Sequence, residues 1–311
     1  MTKRNGASPK LVVTADDFGL SPAVDRGILE AFRRGIVRST ALLVNFPDVH
    51  DSVTRLRQEP GLEVGIHLNL TAGPPVLPTT RVPSLVRPDG TFHSFTAFFA
   101  RVALSQIDWR EVALEWEAQF ERGIELGCAF TFITSHQHVH MLPQAAQICA
   151  KLAHEFEVRA VRLSNFRVSE MLWPLRLKGL ALSTFAATAA DVLKRSNVYS
   201  NASILEIPPG TPDRTATQLC GIIKRLDSGV HELVCHPGYV DSLLKARDPY
   251  VAERPGELAV LTDAKLSEYL ETAGIEHTTF RELAGYSGKV QKTYAHRRTL
   301  EESLHPVISS P

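Results

Sequence analysis

The sequence has no excess of charge of either sign. Its 311 residues include 34 basic and 34 acidic side chains. That balance argues against a protein held to nucleic acid by a broad basic face, and leaves room only for a local patch. No run of about 18 apolar residues occurs, so no membrane-spanning helix is expected. The opening residues, Met1-Thr-Lys-Arg-Asn-Gly6, are polar and run straight into a strand-like segment. They lack the apolar core of a signal peptide. The chain has only four cysteines, Cys128, Cys149, Cys220 and Cys235, and none forms a CxxC pair. Each sits among apolar residues, so buried free thiols and a cytoplasmic location are expected. The glycine-rich dinucleotide fingerprint, the phosphate loop and the GxSxG nucleophile elbow are also absent. What is present is ordinary globular material. Hydrophobic residues make up 44% and charged residues 22%, too much apolar content for a disordered chain.

Short apolar runs alternate with helical patterns. Leu11–Thr14, Thr40–Asn45, Leu62–Leu70, Phe130–Thr134, Arg159–Leu163, Ala202–Ile207 and Glu232–Cys235 read as strands. Helices are expected at Ser21–Arg34, Val49–Gln58, Trp109–Leu126, Pro143–Glu155, Pro212–Leu226 and Asp263–Ala273, with a broken one over 166–200. Ser21 is a natural N-cap, with Pro22 in the first helical position. This alternation predicts an α/β fold of parallel strands joined by crossover helices. Seven or eight such units close a barrel, and fewer leave an open sheet. Residues 71–95 interrupt the pattern with Gly73-Pro-Pro75, Pro78, Pro83, Pro88 and Asp89-Gly90. A long irregular insertion of this kind is usually functional or disordered. The organisation expected is one domain over residues 8–284, followed by a poorly ordered tail at 285–311.

The chemistry-bearing residues fall at strand ends. Asp16-Asp17 follows the first run, and His67 lies near the end of the third. His136-Gln-His138-Val-His140 follows the fourth, and His236-Pro-Gly238 follows Glu232–Cys235. In an α/β barrel the active site collects at the C-terminal ends of the strands. Taken singly, each feature has a plainer explanation. One Asp of the pair can cap a helix or make an Asx-turn. His67 can be a satisfied core histidine, the three clustered histidines a solvated loop, and His236 a turn residue. Together they supply a carboxylate or an imidazole from four separate strand ends. One Asp and two His leave coordination positions open, as in a catalytic metal site. A second Asp and a further His would then serve as general base and general acid.

The motifs Thr14-Ala-Asp-Asp-Phe-Gly-Leu20, Gly65-Ile-His-Leu-Asn-Leu-Thr71, Ser135-His-Gln-His-Val-His-Met-Leu-Pro143 and Cys235-His-Pro-Gly238 resemble those of the YdjC-like (ChbG-type) carbohydrate deacetylases. The insertion segments Gly73–Pro78, Pro83–Leu85 and Asp89–Phe92 resemble that family's loop. The resemblance implies an irregular (β/α) barrel, similar to a TIM barrel, with seven or eight parallel strands. It implies a hydrolase that removes an N-acetyl group from an acetylated amino sugar or chitooligosaccharide-like substrate. By the same resemblance Asp17, His67 and His136 hold one divalent metal ion, zinc or magnesium first, with cobalt, nickel or manganese as alternatives. Asp16 is then the general base and His236 the general acid. His138, His140 and Asn69 are candidates for substrate contact or for orienting the ligands. The implied partner is a small-molecule carbohydrate, with no nucleic acid and no membrane span, and the implied assembly is a homodimer. One departure stands out. Many relatives carry Asp-Ser-His where this chain has Thr134-Ser135-His136, and an Asp there could orient a histidine ligand. The readings that compete are an N-acetylglucosaminyl lipid as substrate, a metallo-phosphoesterase, and a non-catalytic sugar-binding barrel.

Overall fold

Nine residues, Lys10–Phe18, form the central strand β1, and every one after Lys10 is buried. A parallel strand covered on both faces has this near-continuous apolar character. The structure, a computed structural model, describes residues 8–166, 175–208, 210 and 212–285. The further strands are β2 (Ser39–Leu42), β3 (Glu63–Leu68), β4 (Phe132–Ser135), β5 (Ala160–Val161), β6 (Ser203–Glu206), β7 (Val230–Cys235) and β8 (Glu276–Thr278). They form one sheet in the order β5-β4-β3-β2-β1-β7-β6, with β8 beside the start of β1. Every pairing is parallel. β8 pairs with Lys10–Val12, and β2 takes over that same edge from Thr14. The two ends of the sheet approach each other through single parallel bridges, Ala160 to Tyr199 and Phe166 to Ile204. The architecture is thus α/β, an irregular (β/α) barrel.

The connections are helical. α1 (Pro22–Arg34), α2 (Val49–Leu56), α3 (Phe95–Ala103) and α4 (Trp109–Glu125) precede or follow β2 and β3. α5 (Pro143–Glu155), α6 (Leu175–Arg195) and α7 (Pro212–Lys224) serve the second half. After β7 come α8 (Ser242–Arg247), α9 (Arg254–Leu261), α10 (Ala264–Thr272) and α11 (Phe280–Leu283). Ser21 caps α1 by accepting from Val24 N at 3.3 Å, with Pro22 beside it, as its sequence predicts. Such a cap contributes about 1 kcal/mol. The short elements α3, α8, α9, α11 and β8 were not anticipated, because one or two turns give too little periodicity. The broken helix expected over 166–200 is α6, and residues 167–174 lie outside the described residues. So does 286–311, where the tail was expected.

The insertion at 71–95 is ordered by buried polar groups rather than by regular structure. Glu115 on α4 accepts from Val76 N at 2.8 Å and Leu77 N at 3.0 Å. Gln119, one turn on, donates to Asn69 O at 2.7 Å. Asn69 Oδ1 accepts from the Thr71 and Ala72 amides, and its Nδ2 donates to Ala72 O. Asn45 adds bonds to Ala72 O and Pro74 O. The loop pairs with itself at a few points, as where Phe92 N donates to Gly73 O and His93 N to Leu85 O, and side chains from the barrel wall satisfy other backbone groups. Gly65 on β3 has a packing role: a Cβ there would lie 2.5 Å from the Phe132 ring. The barrel interior at that level is filled by the aromatic side chain instead.

Candidate metal centre and active site

The Asp16-Asp17 pair sits inside β1 rather than after it. The β1–β2 register shifts between Ala15 and Phe18, a bulge, and Asp17 there has φ of 71°. Asp tolerates this left-handed conformation better than most residues. The bulge aims both carboxylates from one strand end, which strict alternation forbids.

Asp17 Oδ1 faces two imidazoles: His136 Nδ1 at 3.0 Å and His67 Nε2 at 3.3 Å. The three residues are buried, and their ligand atoms lie within 4.8 Å of one another. They come from the ends of β1, β3 and the turn after β4. One carboxylate and two imidazoles make a donor set that suits a divalent cation and leaves positions open. The opposite face of Asp17 is bound by Arg254, whose Nη2 donates to Oδ2 at 2.7 Å. Burial raises the Asp17 carboxyl, but Arg254 and His136 outweigh it and hold it well below the usual range. Burial pulls His67 down, so its ring favours the neutral form that ligates metals.

Asp16 takes a different partner. Arg162 grips it with two bonds, Nη1 to Oδ2 at 2.6 Å and Nη2 to Oδ1 at 2.8 Å. The same guanidinium reaches Glu232 on β7 through Nε at 2.9 Å and Nη2 at 2.8 Å. All three side chains are buried. Burial pushes the Asp16 carboxyl up, but the charge of Arg162 prevails and holds it below its ordinary value. Asp16 is therefore ionised at neutral pH.

The three clustered histidines separate in the turn His136–Met141. Gln137 and His138 there have φ of 56° and 59°, which kinks the chain. Only His136 reaches Asp17. His138 Nδ1 pairs with Ser164 Oγ at 2.9 Å, with its ring edge-on to Phe166. His140 is buried, and burial together with Arg162 lowers it to about 3, so it is neutral. Its Nε2 donates to the Arg162 carbonyl at 3.1 Å, and Ser135 Oγ lies 2.6 Å from Nδ1. His140 thus helps hold Arg162. Asn69 is spent on the insertion loop, and both ends of its amide are used there. Thr134 lies in register with His67 across the β3–β4 pair and faces the same side. Its Oγ1 is buried and makes no hydrogen bond among the described residues.

His236 leaves β7 half-buried, with its ring 5.2 Å from the Tyr250 ring. Its backbone N–H donates to Glu257 on α9, which also accepts from Tyr250 O–H. The segment from Asp248 to Glu257 therefore touches His136, Asp17 and His236 in turn. Six residues of this surrounding set were missed: Arg162, Glu232, Asp248, Tyr250, Arg254 and Glu257. Arg162 and Glu232 carried a signal, since each is a charge inside an apolar strand run. The other four lie in a stretch with no motif and no periodicity.

The YdjC-like protein family model matches residues 10–272. A carbohydrate deacetylase of Brevibacillus brevis is 33% identical over 275 residues, covering 88% of this chain and 99% of that protein. A carbohydrate deacetylase of Halalkalibacterium halodurans is 31% identical over 259 residues, covering 83% of this chain and 98% of the other. Among solved structures, a proposed cellobiose-phosphate cleavage protein of Enterococcus faecalis V583 superposes with a TM-score of 0.74. It is 27% identical and covers 89% of this chain and 99% of its own. The family model spans β1 to β7 and every strand end that carries a site residue, and the chain belongs to the YdjC-like protein family.

Proposed function

We propose that the protein is a divalent-metal-dependent carbohydrate deacetylase that hydrolyses the N-acetyl group of an amino sugar. The observation that carries this reading is the convergence of Asp17, His67 and His136 beside an ionised Asp16. The activity named for its relatives supports the same reaction class. A divalent cation bound to the three residues supplies Lewis-acid polarisation of the acetyl carbonyl and activation of water.

The remaining work falls to this chain's side chains. Asp16 accepts a proton from the attacking water as its oxygen bonds to the acetyl carbon. Arg162 fixes the plane of that carboxylate and keeps it ionised while leaving lone pairs free. The C–N bond then breaks, and His236 protonates the departing nitrogen, since an amide nitrogen leaves poorly as an anion. Acetate and a free amine result. One base and one acid give a rate that falls on both sides of an optimum pH. The ordered insertion at 71–95 walls the site and contributes to substrate choice.

The test is acetate release from short N-acetylglucosamine oligomers by metal-loaded protein, with Asp16→Asn in parallel. Release that needs metal and vanishes in the variant supports the reading. A protein that binds metal yet releases nothing belongs to another substrate class. A protein that binds no divalent metal overturns the site assignment.

A further inference from the structure

The two histidines of the centre are held very differently. His67 and His136 turn one nitrogen each toward Asp17 Oδ1, at 3.3 and 3.0 Å. Their second nitrogens meet different surroundings. Among the described residues His67 Nδ1 is buried with no acceptor, and its register partner Thr134 offers an Oγ1 that is likewise unpaired among them. His136 Nε2, in contrast, lies 3.3 Å from Asp248 Oδ2.

Asp248 is not a loose surface carboxylate. It is 7% exposed and closes α8, its N–H donating to Leu244 O at 3.0 Å. Its Oδ1 accepts from Tyr250 N at 2.6 Å and lies 3.8 Å from Arg254 Nη2. One oxygen is thus fixed by the chain that follows it, and the other is left facing the imidazole. Arg254 in turn holds Asp17. A single segment, 248–254, therefore supports two of the three ligands from behind.

We infer that Asp248 is a positioning residue that fixes His136 with Nδ1 toward the metal and Nε2–H toward its own carboxylate. The inference rests on the metal-site reading above. A carboxylate behind a ligating imidazole fixes its tautomer and raises its basicity, and losing such a partner typically costs about 10–100-fold in metal affinity. The centre is then anchored chiefly through His136 and Asp17, and among the described residues no acceptor stands behind His67 Nδ1.

The experiment titrates Co(II) and Zn(II) into the full-length wild type, Asp248→Ala and Asp248→Asn, with the Co(II) visible spectrum recorded alongside. Asp248→Ala is expected to weaken both metals by about 10–100-fold and to change the Co(II) spectrum. Asp248→Asn keeps an acceptor oxygen but no charge, and should fall between. Wild-type affinity and an unchanged spectrum in a folded Asp248→Ala protein overturn the proposal while leaving the metal site standing. A wild type that binds neither metal overturns both. Should the variants fail to fold, nitrogen-15 histidine spectra of the Zn(II)-loaded wild type decide. A His136 proton on Nε2 is expected, and a proton on Nδ1 refutes the assignment.

Discussion

Arg162 and Asp16 meet as planar fork and carboxylate, with bonds of 2.6 and 2.8 Å, and both side chains are buried at the strand ends that carry the site. The residues are 146 positions apart, on β1 and just beyond β5. Glu232 shares the same guanidinium, so two carboxylates depend on one cation.

Removing that cation should be costly. Arg162→Met leaves Asp16 and Glu232 buried without their counter-charge, and breaking a buried pair this way costs about 3–5 kcal/mol. Adding Glu232→Met should recover part of the loss, because one of the two stranded charges is gone. Denaturant unfolding of the single and double variants checks this. A single variant as stable as the wild type would show that the buried network contributes little.

Asp16 and Asp17 are adjacent in sequence yet should separate cleanly in function. Asp16→Asn is expected to lower kcat by about 10²–10⁴-fold with metal affinity preserved. Asp17→Asn should lose metal binding itself, since Oδ1 is the atom both imidazoles face. Metal titration paired with acetate release distinguishes the two. Equal loss of metal by both variants would contradict the division of labour.

The loop carrying His236 is placed by contact with α1. A Cβ on Gly27 would lie 2.5 Å from Gly238 Cα, and Tyr239 N donates to Ala23 O at 3.2 Å. Gly27→Ala must therefore push the His236-Pro-Gly238 turn outward. Displacing a reacting group by about 1 Å can cost on the order of 10²-fold in rate. The expected result is a fall in kcat larger than the change in metal affinity. Wild-type turnover in a folded variant would show that His236 tolerates the shift.

Acid sensitivity should have a contribution from far outside the site. His277 on β8 is lowered to about 4, by burial first and then by Arg38, whose Nε donates to its Nδ1 at 3.0 Å. Unfolded, the ring titrates near the ordinary value of 6.5. Its folded value is depressed, so its contribution is fully present above about 6.5 and is lost as pH falls towards about 4. Asp25 works in the opposite sense. Burial raises it to about 6 from 3.8, so its contribution is greatest below the lower value and is lost as pH rises through the upper. Melting temperatures of wild type and His277→Gln between pH 7 and pH 4 should converge as pH falls. Parallel curves would refute the role of His277.

Much of the barrel was legible because its signal is local. Runs such as Leu11–Val13 and Leu233–Cys235 are short, apolar and bounded by polar or turn residues, and the helices between them carry caps such as Ser21. The short elements after β7 were not legible. α8 and α9 have too few turns to show a face, and β8 finds its place only because the start of β1 has a free edge. At the site, His67, His136 and the Asp pair announced themselves as polar residues ending apolar strands. Asp248 and Arg254 announced nothing, since they stand at the end of α8 and the start of α9, two helices too short to show a pattern.

Sequence alone determined the strand–helix alternation and which strand ends carry carboxylates and imidazoles, because both depend on neighbours a few residues away. Only tertiary structure decided how those groups are shared out. The β1 bulge turns Asp17 toward His67 and His136 and leaves Asp16 to Arg162. Asp17 also meets Arg254, 237 positions away. Such pairings follow from curling the sheet until its distant strands adjoin, and from the need of every buried charge for a partner. That need is written into the composition of the chain, but its solution exists only in three dimensions.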